Sequence, residues 1–187
     1  MWILDHNFRF IRNRFREDSK STLVADISAI ELRIGDRRVT LQLWDTAGQE
    51  KFQSLAPVFY RRADCCVLVF DVTNPSSFSS LYDWHKQFLE MARPSDREKF
   101  PFVLLGNKAD TDGQTRRRVP EVRAKQWCSM RGNIRYFETS ARDNQNVDAA
   151  FFHVAKLALA NNDEQDIYFQ RIAEFVSEPE QGSGCAC

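Results

Sequence analysis

Two uninterrupted apolar runs, at residues 67–70 and 102–105, constrain the fold of this chain most strongly. A half-exposed strand alternates apolar and polar residues, whereas a parallel strand buried on both faces is apolar throughout. Between the two runs, Asn74, Pro75 and Ser76 form a typical helix start. Apolar residues then follow at helical spacing, namely Phe78, Leu81, Trp84 (or His85), Phe88 and Leu89. Strand, helix and strand in this order predict an α/β fold with an open sheet.

The remaining segments extend this pattern in both directions along the chain. They predict a hairpin with strands at 30–34 and 39–43 around a turn at 35–38, a helix at 121–130, a strand at 135–138 and a helix at 147–160. A short amphipathic helix is predicted near the start from the spacing of Leu4, Phe8, Ile11 and Phe15. We therefore expect one domain at 1–160, with a mostly parallel sheet and helices on both of its faces. A flexible acidic tail is expected at 161–187.

Composition excludes several classes of protein. The 187 residues are 43% hydrophobic, which fits one domain with a proper core. Lys and Arg together number 26, as do Asp and Glu, so the overall charge gives no indication of a nucleic-acid partner. No apolar run approaches the roughly 18 residues that a membrane span needs. Cys65, Cys66 and Cys128 lie in apolar patterns and are expected to be buried thiols. Neither a disulfide framework nor the spacing of zinc ligands is recognisable in the sequence.

The tetrapeptide Asn107-Lys108-Ala109-Asp110 follows the second apolar run and suggests recognition of guanine. An ionised carboxylate accepts hydrogen bonds and cannot donate them. Guanine presents two adjacent donors, its ring N–H and its exocyclic amine, whereas adenine presents an acceptor at the ring position. A carboxylate in this loop would therefore bind guanine through two bonds and reject adenine. Taken alone, the tetrapeptide is equally compatible with a polar turn.

A second loop, Glu138-Thr139-Ser140-Ala141-Arg142, ends the next predicted strand. Ligands of open α/β sheets bind beyond the carboxyl ends of the strands, where neighbouring loops can hold a planar base from two sides. We expect Ser140 and the backbone N–H of Ala141 at this site, the latter as a donor to the guanine carbonyl. The aliphatic stems of Lys108 and Arg142 are candidates for the two ring faces, because long basic side chains cover apolar surface well.

A third loop lies in the sequence Leu43-Trp44-Asp45-Thr46-Ala47-Gly48-Gln49-Glu50. Asp45 is a candidate for orienting a water on Mg²⁺, which prefers oxygen ligands, and Thr22 could complete the metal shell. Gly48 would let its backbone N–H approach a terminal phosphate. Gln49 carries both a donor and an acceptor and could position an attacking water. Considered alone, Thr22 is better explained as a threonine at the start of a strand.

The three loops together resemble the nucleotide-binding motifs of the Ras superfamily of small GTPases. D-T-A-G-Q-E, N-K-x-D and E-T-S-A occur in this order on successive predicted strand ends. The segments WDTAGQEKFQSLAPVFYRRADCCVLVFDV, FPFVLLGNKAD and GNIRYFETSA are similar to Rab GTPases, most closely to the branch of the late endosome, lysosome and vacuole. The resemblance implies a switch of vesicle traffic that binds GTP or GDP with Mg²⁺ and hydrolyses GTP. It also implies effectors, an exchange factor and a GTPase-activating protein that bind the surface formed by residues 22–62.

The end of the chain supports a Rab rather than a Ras protein. Cys185-Ala186-Cys187 is similar to the doubly prenylated C-x-C terminus of many Rabs and unlike a C-a-a-X box. Residues 161–187 hold six acidic residues and one basic residue, Arg171, so no basic patch assists a single lipid, and stable anchoring then needs two chains. The resemblance implies prenylation escort machinery, a GDP-dissociation inhibitor and cycling between cytosol and the cytoplasmic face of these membranes.

One element of the family pattern does not occur in the sequence. The family holds its phosphates with G-x-x-x-x-G-K-[ST], and this chain contains no such sequence. The family's first strand, between the strands that end at Asp45 and Asp71, is also lacking. One hypothesis is an N-terminally incomplete Rab GTPase sequence with the missing motif encoded upstream of Met1. The alternative is a Rab-like pseudo-GTPase that acts as a membrane-anchored binding module without a nucleotide cycle.

Overall fold

The computed structural model describes residues 9–10, 25–46, 60–110 and 116–177, with the backbone alone at 25–26 and 164–177. Its elements in chain order are β1 (Ala25–Ile34), β2 (Arg37–Thr46), β3 (Cys66–Asp71), α1 (Pro75–Ser79), α2 (Leu81–Ala92), β4 (Phe102–Asn107), α3 (Glu121–Ser129), β5 (Arg135–Glu138) and α4 (Val147–Ser177).

β1 and β2 form the predicted hairpin. They pair antiparallel from Ala25 opposite Thr46 to Ile34 opposite Arg37, so the connecting turn is the two residues Gly35 and Asp36. Gly35 has φ of 59°, a conformation that glycine adopts without a steric penalty. The alternating sequence places Leu41 and Leu43 on a buried face.

β3, β4 and β5 form a parallel sheet with β4 in the centre. Val67 lies opposite Val103, and Leu104 lies opposite Tyr136. Every residue of β4 is buried, which explains why its sequence is apolar without alternation. The three strands predicted in this part of the chain are confirmed.

Helices cover both faces of the parallel sheet, as predicted. On one face, Leu68, Phe70 and Leu104 pack with residues of α1, α2 and α3. On the other face, Val69, Val103 and Leu105 pack with α4. The open sheet of an α/β protein is therefore present, and no closed barrel forms among the described strands.

α4 packs against both sheets through two neighbouring stripes. Val147, Phe151 and Ala155 contact the hairpin residues Leu41 and Leu43. Ala150, Val154 and Leu157 contact the parallel sheet. Residues three or four apart lie on one side of a helix, so each stripe presents a continuous apolar surface to its sheet.

The described strands belong to two separate sheets. β1 pairs with β2, the parallel sheet contains β3, β4 and β5, and no described strand pairs with both β2 and β3. The family's first strand, which the sequence lacks, is expected between these two strands, β2 and β3. α4 packs against both sheets. In addition, the hydroxyl of Thr46, at the end of β2, lies 3.4 Å from that of Tyr60, which packs on the core of the parallel sheet.

Several predicted boundaries differ from the structure. Asn74 caps α1 by accepting a hydrogen bond from the N–H of Ser76, as the helix start predicts, but the helix is interrupted at Ser80. α4 continues past the predicted end at Ala160 to Ser177. Of the predicted first helix, only residues 9–10 are described, and they are helical.

The burial predicted for the three cysteines is complete at one of them. Cys128 is buried, Cys65 and Cys66 are partly buried, and all three are free thiols. Burial raises the pKa of Cys128 to about 11, which keeps this thiol protonated and unreactive at neutral pH. Among the described residues, no helix is both apolar and long enough to cross a bilayer.

Candidate functional site

Asn107 connects the ends of all three parallel strands. It is the last residue of β4 and is 2% exposed. Its side-chain oxygen Oδ1 accepts hydrogen bonds from the N–H of Lys108 at 2.7 Å and of Ala141 at 3.4 Å. Its carbonyl accepts from the N–H of Val72, just after β3, at 3.0 Å. The side chain predicted to bind a cofactor therefore also fixes the loops around it.

Backbone hydrogen bonds join the loops that follow β4 and β5. The N–H of Thr139 donates to the carbonyl of Gly106 at 2.8 Å, and the N–H of Ala109 donates to the carbonyl of Thr139 at 3.1 Å. The two predicted base-binding loops consequently form one structural unit at the carboxyl edge of the sheet.

The loop after β5 closes on itself around Ser140. Ser140 is fully buried and exchanges two backbone hydrogen bonds of 3.1 Å with Gln145. Its hydroxyl accepts a bond from the N–H of Asp143 at 3.0 Å. Asn146, at φ of 56°, donates from its side chain to the carbonyl of Glu138 at 2.8 Å. Ser140 thus shapes the loop that presents Ala141.

Lys108 follows β4 with φ of 64°, and its ammonium reaches the end of β3. Nζ lies 2.7 Å from Oδ2 of Asp71. Burial raises the pKa of Asp71, but hydrogen bonds from Lys108 and Thr73 outweigh burial, so the pKa lies below its ordinary value. Asp71 is therefore a carboxylate at neutral pH.

A second ion pair supports the loop after β5. Arg117 donates two hydrogen bonds of 2.7 Å to the carboxylate of Glu138, and the hydroxyl of Tyr136 donates a third at 2.9 Å. Burial opposes ionisation of Glu138, but the bonds from Arg117 and Tyr136 prevail and hold its pKa below the ordinary value. Arg117 also donates to the carbonyl of Val119, which ties the segment before α3 to β5.

Asp110 and Arg142 lie in the same two loops but are more accessible. Asp110 is partly buried, and its carboxylate has no hydrogen-bond or ion-pair partner among the described residues. An available carboxylate fits the two adjacent donors of guanine. Arg142 is exposed, and its carbonyl accepts a hydrogen bond of 3.1 Å from Arg9.

The predicted metal and catalytic residues are only partly described. Asp45 is 3% exposed near the end of β2, which lies in the other sheet. A buried carboxylate at a strand end fits the oxygen ligands that Mg²⁺ prefers. No cluster of three or more acidic, histidine or cysteine side chains capable of holding a metal occurs in the described ranges. Thr22, Gly48, Gln49, Cys185 and Cys187 lie outside the described residues.

Two residues of this site were missed by the sequence analysis. Asp71 directly follows the apolar run at 67–70 and ends β3, a position where a polar side chain indicates a site, but none of the recognised motifs includes it. Arg117 lies in a run of three arginines, and the run does not show which of them contacts a carboxylate and which faces solvent.

Comparison with known proteins identifies the family. A sequence model of the Ras family matches residues 7–160. The chain belongs to the Ras family. The Ras-related protein Rab7 of Glycine max is 58% identical over 180 residues, which cover 96% of this chain and 87% of that protein. Rab7 of Vigna aconitifolia is 57% identical over 180 residues and RABG3b of Arabidopsis thaliana 55% over 179, with the same shares covered.

These relatives place the chain in the Rab7 branch, that of the late endosome and vacuole, as the motifs indicated. Membership of the Rab family implies binding of GTP, GDP and Mg²⁺ and interaction with effectors and regulators. Neither the described structure nor the comparisons favour the alternative of a nucleotide-independent pseudo-GTPase.

Proposed function

We propose that this chain is a Rab GTPase switch that regulates traffic to late endosomes, lysosomes or the vacuole and recognises guanine between the loops after β4 and β5. The observation that carries the proposal is the network around Asn107. It joins Lys108 and Ala141 within one unit, beside Asp110, whose carboxylate has no partner among the described residues.

Each loop contributes a different part of base recognition. Asp110 would accept both donors of guanine, which excludes adenine because a carboxylate has no proton to donate. The N–H of Ala141 makes only a long bond of 3.4 Å to Asn107, so transferring this donor to the guanine carbonyl costs little. The stems of Lys108 and Arg142 would cover the faces of the ring.

The phosphate end of the site would involve the strand that ends near Asp45. Asp45 and Thr22 would hold Mg²⁺ through oxygen atoms, directly or through water. Bound Mg²⁺ offsets the charge of the phosphates. Gly48 would place its N–H near the terminal phosphate, and Gln49 would orient the water that attacks it.

Partners and membrane would use the remaining surfaces. Ile27 and Trp44 are opposite each other in the hairpin, and their side chains are 54% and 40% exposed. This pair lies within the 22–62 surface, where effectors, the exchange factor and the GTPase-activating protein are proposed to bind. Prenyl groups on Cys185 and Cys187 would anchor the protein to the cytoplasmic face of the membrane. Escort machinery and a GDP-dissociation inhibitor would carry it through the cytosol.

Replacing Asp110 by Asn tests the base specificity. Asn offers a donor where Asp offers only acceptors, so the site should prefer xanthine, which has a carbonyl where guanine has an amine. We expect GDP affinity to fall by at least about a hundredfold and xanthosine diphosphate to become the preferred ligand. Equilibrium titration of both nucleotides against wild type and variant measures this.

Asp143→Asn is the matched control, since it makes the same chemical change at an exposed position of the neighbouring loop. It should retain the preference for GDP. If Asp110→Asn and wild type discriminate equally between the two nucleotides, guanine is not recognised by Asp110.

A further inference from the structure

The buried carboxylate of Asp71 lies outside the predicted motifs, and each of its two oxygens contacts hydrogen-bond donors. Asp71 is 4% exposed at the end of β3. Its Oδ1 accepts hydrogen bonds of 2.8 Å from the N–H and 2.7 Å from the hydroxyl of Thr73. Its Oδ2 lies 2.7 Å from the ammonium of Lys108. Because Asp71 is shielded from solvent, this ion pair is screened much less than a surface pair.

Lys108 is consequently fixed at both ends. Its backbone has φ of 64°, which a non-glycine residue seldom adopts, and its N–H is bonded to Asn107. Its ammonium is bonded to Asp71. The four methylene groups between these points therefore span from the end of β4 to the end of β3.

The ion pair determines which part of Lys108 a ligand can meet. The side chain is 37% exposed although its ammonium contacts a buried carboxylate. With the ammonium occupied, the apolar stem is the part offered to a planar ring, and such stems cover apolar surface well.

We propose that Asp71 is a positioning residue for guanine binding, which holds Lys108 so that the lysine stem forms one wall of the base site. This inference rests on the proposed function. A positioning residue affects nucleotide binding only through Lys108. A residue with a purely structural role would affect binding through the stability of the fold, whether or not Lys108 is present.

The first test needs no nucleotide and measures acetylation of individual lysines by mass spectrometry in the full chain. Asp71→Asn keeps the shape of the side chain and removes its charge. Lys108 should be acetylated at least about threefold faster in this variant, because in wild type the ammonium must first leave its 2.7 Å contact with the buried carboxylate to meet the reagent. Glu121→Gln is the matched control, since it removes the exposed partner that lies 2.7 Å from Lys125. Lys125 should change by less than about twofold, as expected for a surface pair.

The second test measures GDP dissociation from wild type, Asp71→Asn, Lys108→Met and the double variant. Met keeps an apolar stem without a charge that needs a partner. Asp71→Asn should accelerate dissociation by about tenfold, since a stem no longer fixed loses much of its contact with the ring. In the Lys108→Met background, the same change should have little effect, because Asp71 has no ammonium to hold.

The outcomes separate the two proposals. If wild type binds no guanine nucleotide, the proposed function fails and this inference fails with it. If wild type binds GDP but Asp71→Asn changes neither dissociation nor Lys108 acetylation, the inference alone is wrong. Equal acceleration in both backgrounds also overturns it, since Asp71 then acts on the fold. If Asp71→Asn does not fold, Lys108→Met is compared with Lys108→Ala, and equally fast dissociation from both contradicts a role for the stem.

Discussion

At the scale of single residues, Gly106 shows how tightly the strand before the base loop is packed. A Cβ atom at this position would lie 2.5 Å from the hydroxyl oxygen of Tyr136 and 3.1 Å from Cζ of Phe70. Real Cβ atoms do not approach neighbours to 2.5 Å, so a side chain here requires Tyr136 to move. Movement of Tyr136 would also disturb its hydrogen bond to Glu138.

We therefore expect Gly106→Ala to lower the free energy of unfolding by about 2 kcal/mol, the usual cost of overpacking a core. Urea denaturation measures this loss. Tyr136→Phe removes the atom nearest to the new methyl group, so the double variant should be more stable than the sum of the two single effects predicts. Strict additivity would show that Tyr136 is not the obstacle.

Glu138 gives the site an acid-sensitive contact. Its carboxylate accepts three hydrogen bonds, and its folded pKa lies below the ordinary value of about 4.5. A lowered folded pKa contributes stability that is present above the unfolded pKa and is lost as pH falls through the folded pKa. Stability should therefore decline below about pH 4.5 as Glu138 becomes protonated.

Glu138→Gln should reduce this acid dependence. We expect the drop in the free energy of unfolding between about pH 6 and pH 3 to be smaller by about 1–2 kcal/mol, at the cost of lower stability at neutral pH. Urea denaturation across that pH range measures both effects. Asp36→Asn, which changes an exposed ion pair, should retain the wild-type acid dependence. An unchanged acid dependence in Glu138→Gln would contradict the role of this contact.

At the scale of elements, α4 is the main connection between the two sheets. Phe151 is 1% exposed, packs with the hairpin residues Leu41 and Leu43, and stacks on Phe10 with ring centroids 4.7 Å apart. The next residue, Phe152, points away and lies 4.7 Å below the ammonium of Lys156. Adjacent phenylalanines thus occupy opposite environments on one helix.

Phe151→Ala should lower the free energy of unfolding by about 3–5 kcal/mol, because it removes a large buried side chain. Phe152→Ala, with the same chemistry at a partly exposed position, should lower it by less than about 1 kcal/mol. Denaturant unfolding of the two variants gives the comparison. Similar losses from both substitutions would mean that α4 does not join the hairpin through the stripe that contains Phe151.

The elements that sequence predicted best were those whose pattern and length agree. The uninterrupted apolar run at 102–105 is typical of a strand buried on both faces and is too short for most helices, and β4 confirms the strand. The end of α4 was missed because the apolar periodicity fades after Ala160, although the backbone remains helical to Ser177. The interruption at Ser80 is not revealed by the apolar spacing, because Ser80 keeps helical dihedral angles and its N–H still donates to the carbonyl of Ser76 at 3.1 Å.

At the scale of the whole molecule, the sequence identified the residues that would bind the base better than the contacts that hold those residues in place. The residues of N-K-x-D and E-T-S-A were predicted from hydrogen-bonding capacity and family resemblance, and the structure brings Asn107, Lys108 and Ala141 together. The sequence could not show that Lys108 contacts Asp71, since residues 37 positions apart meet only through the fold. The sequence predicted one mostly parallel sheet, whereas the described strands form two sheets, and α4 as the bridge between them was not predicted.

The central claim is that the loops after β4 and β5 bind guanine rather than purines in general. Titration of the isotope-labelled full chain with GDP and with ADP, followed by the amide NMR signals of Ala109 and Ala141, tests it most directly. Both nucleotides carry the same phosphates, so the comparison isolates the base whatever the phosphates contribute. We predict saturable shifts of both signals with GDP and at least about a hundredfold weaker response to ADP. Equal responses to the two nucleotides, or none to GDP, would contradict the account.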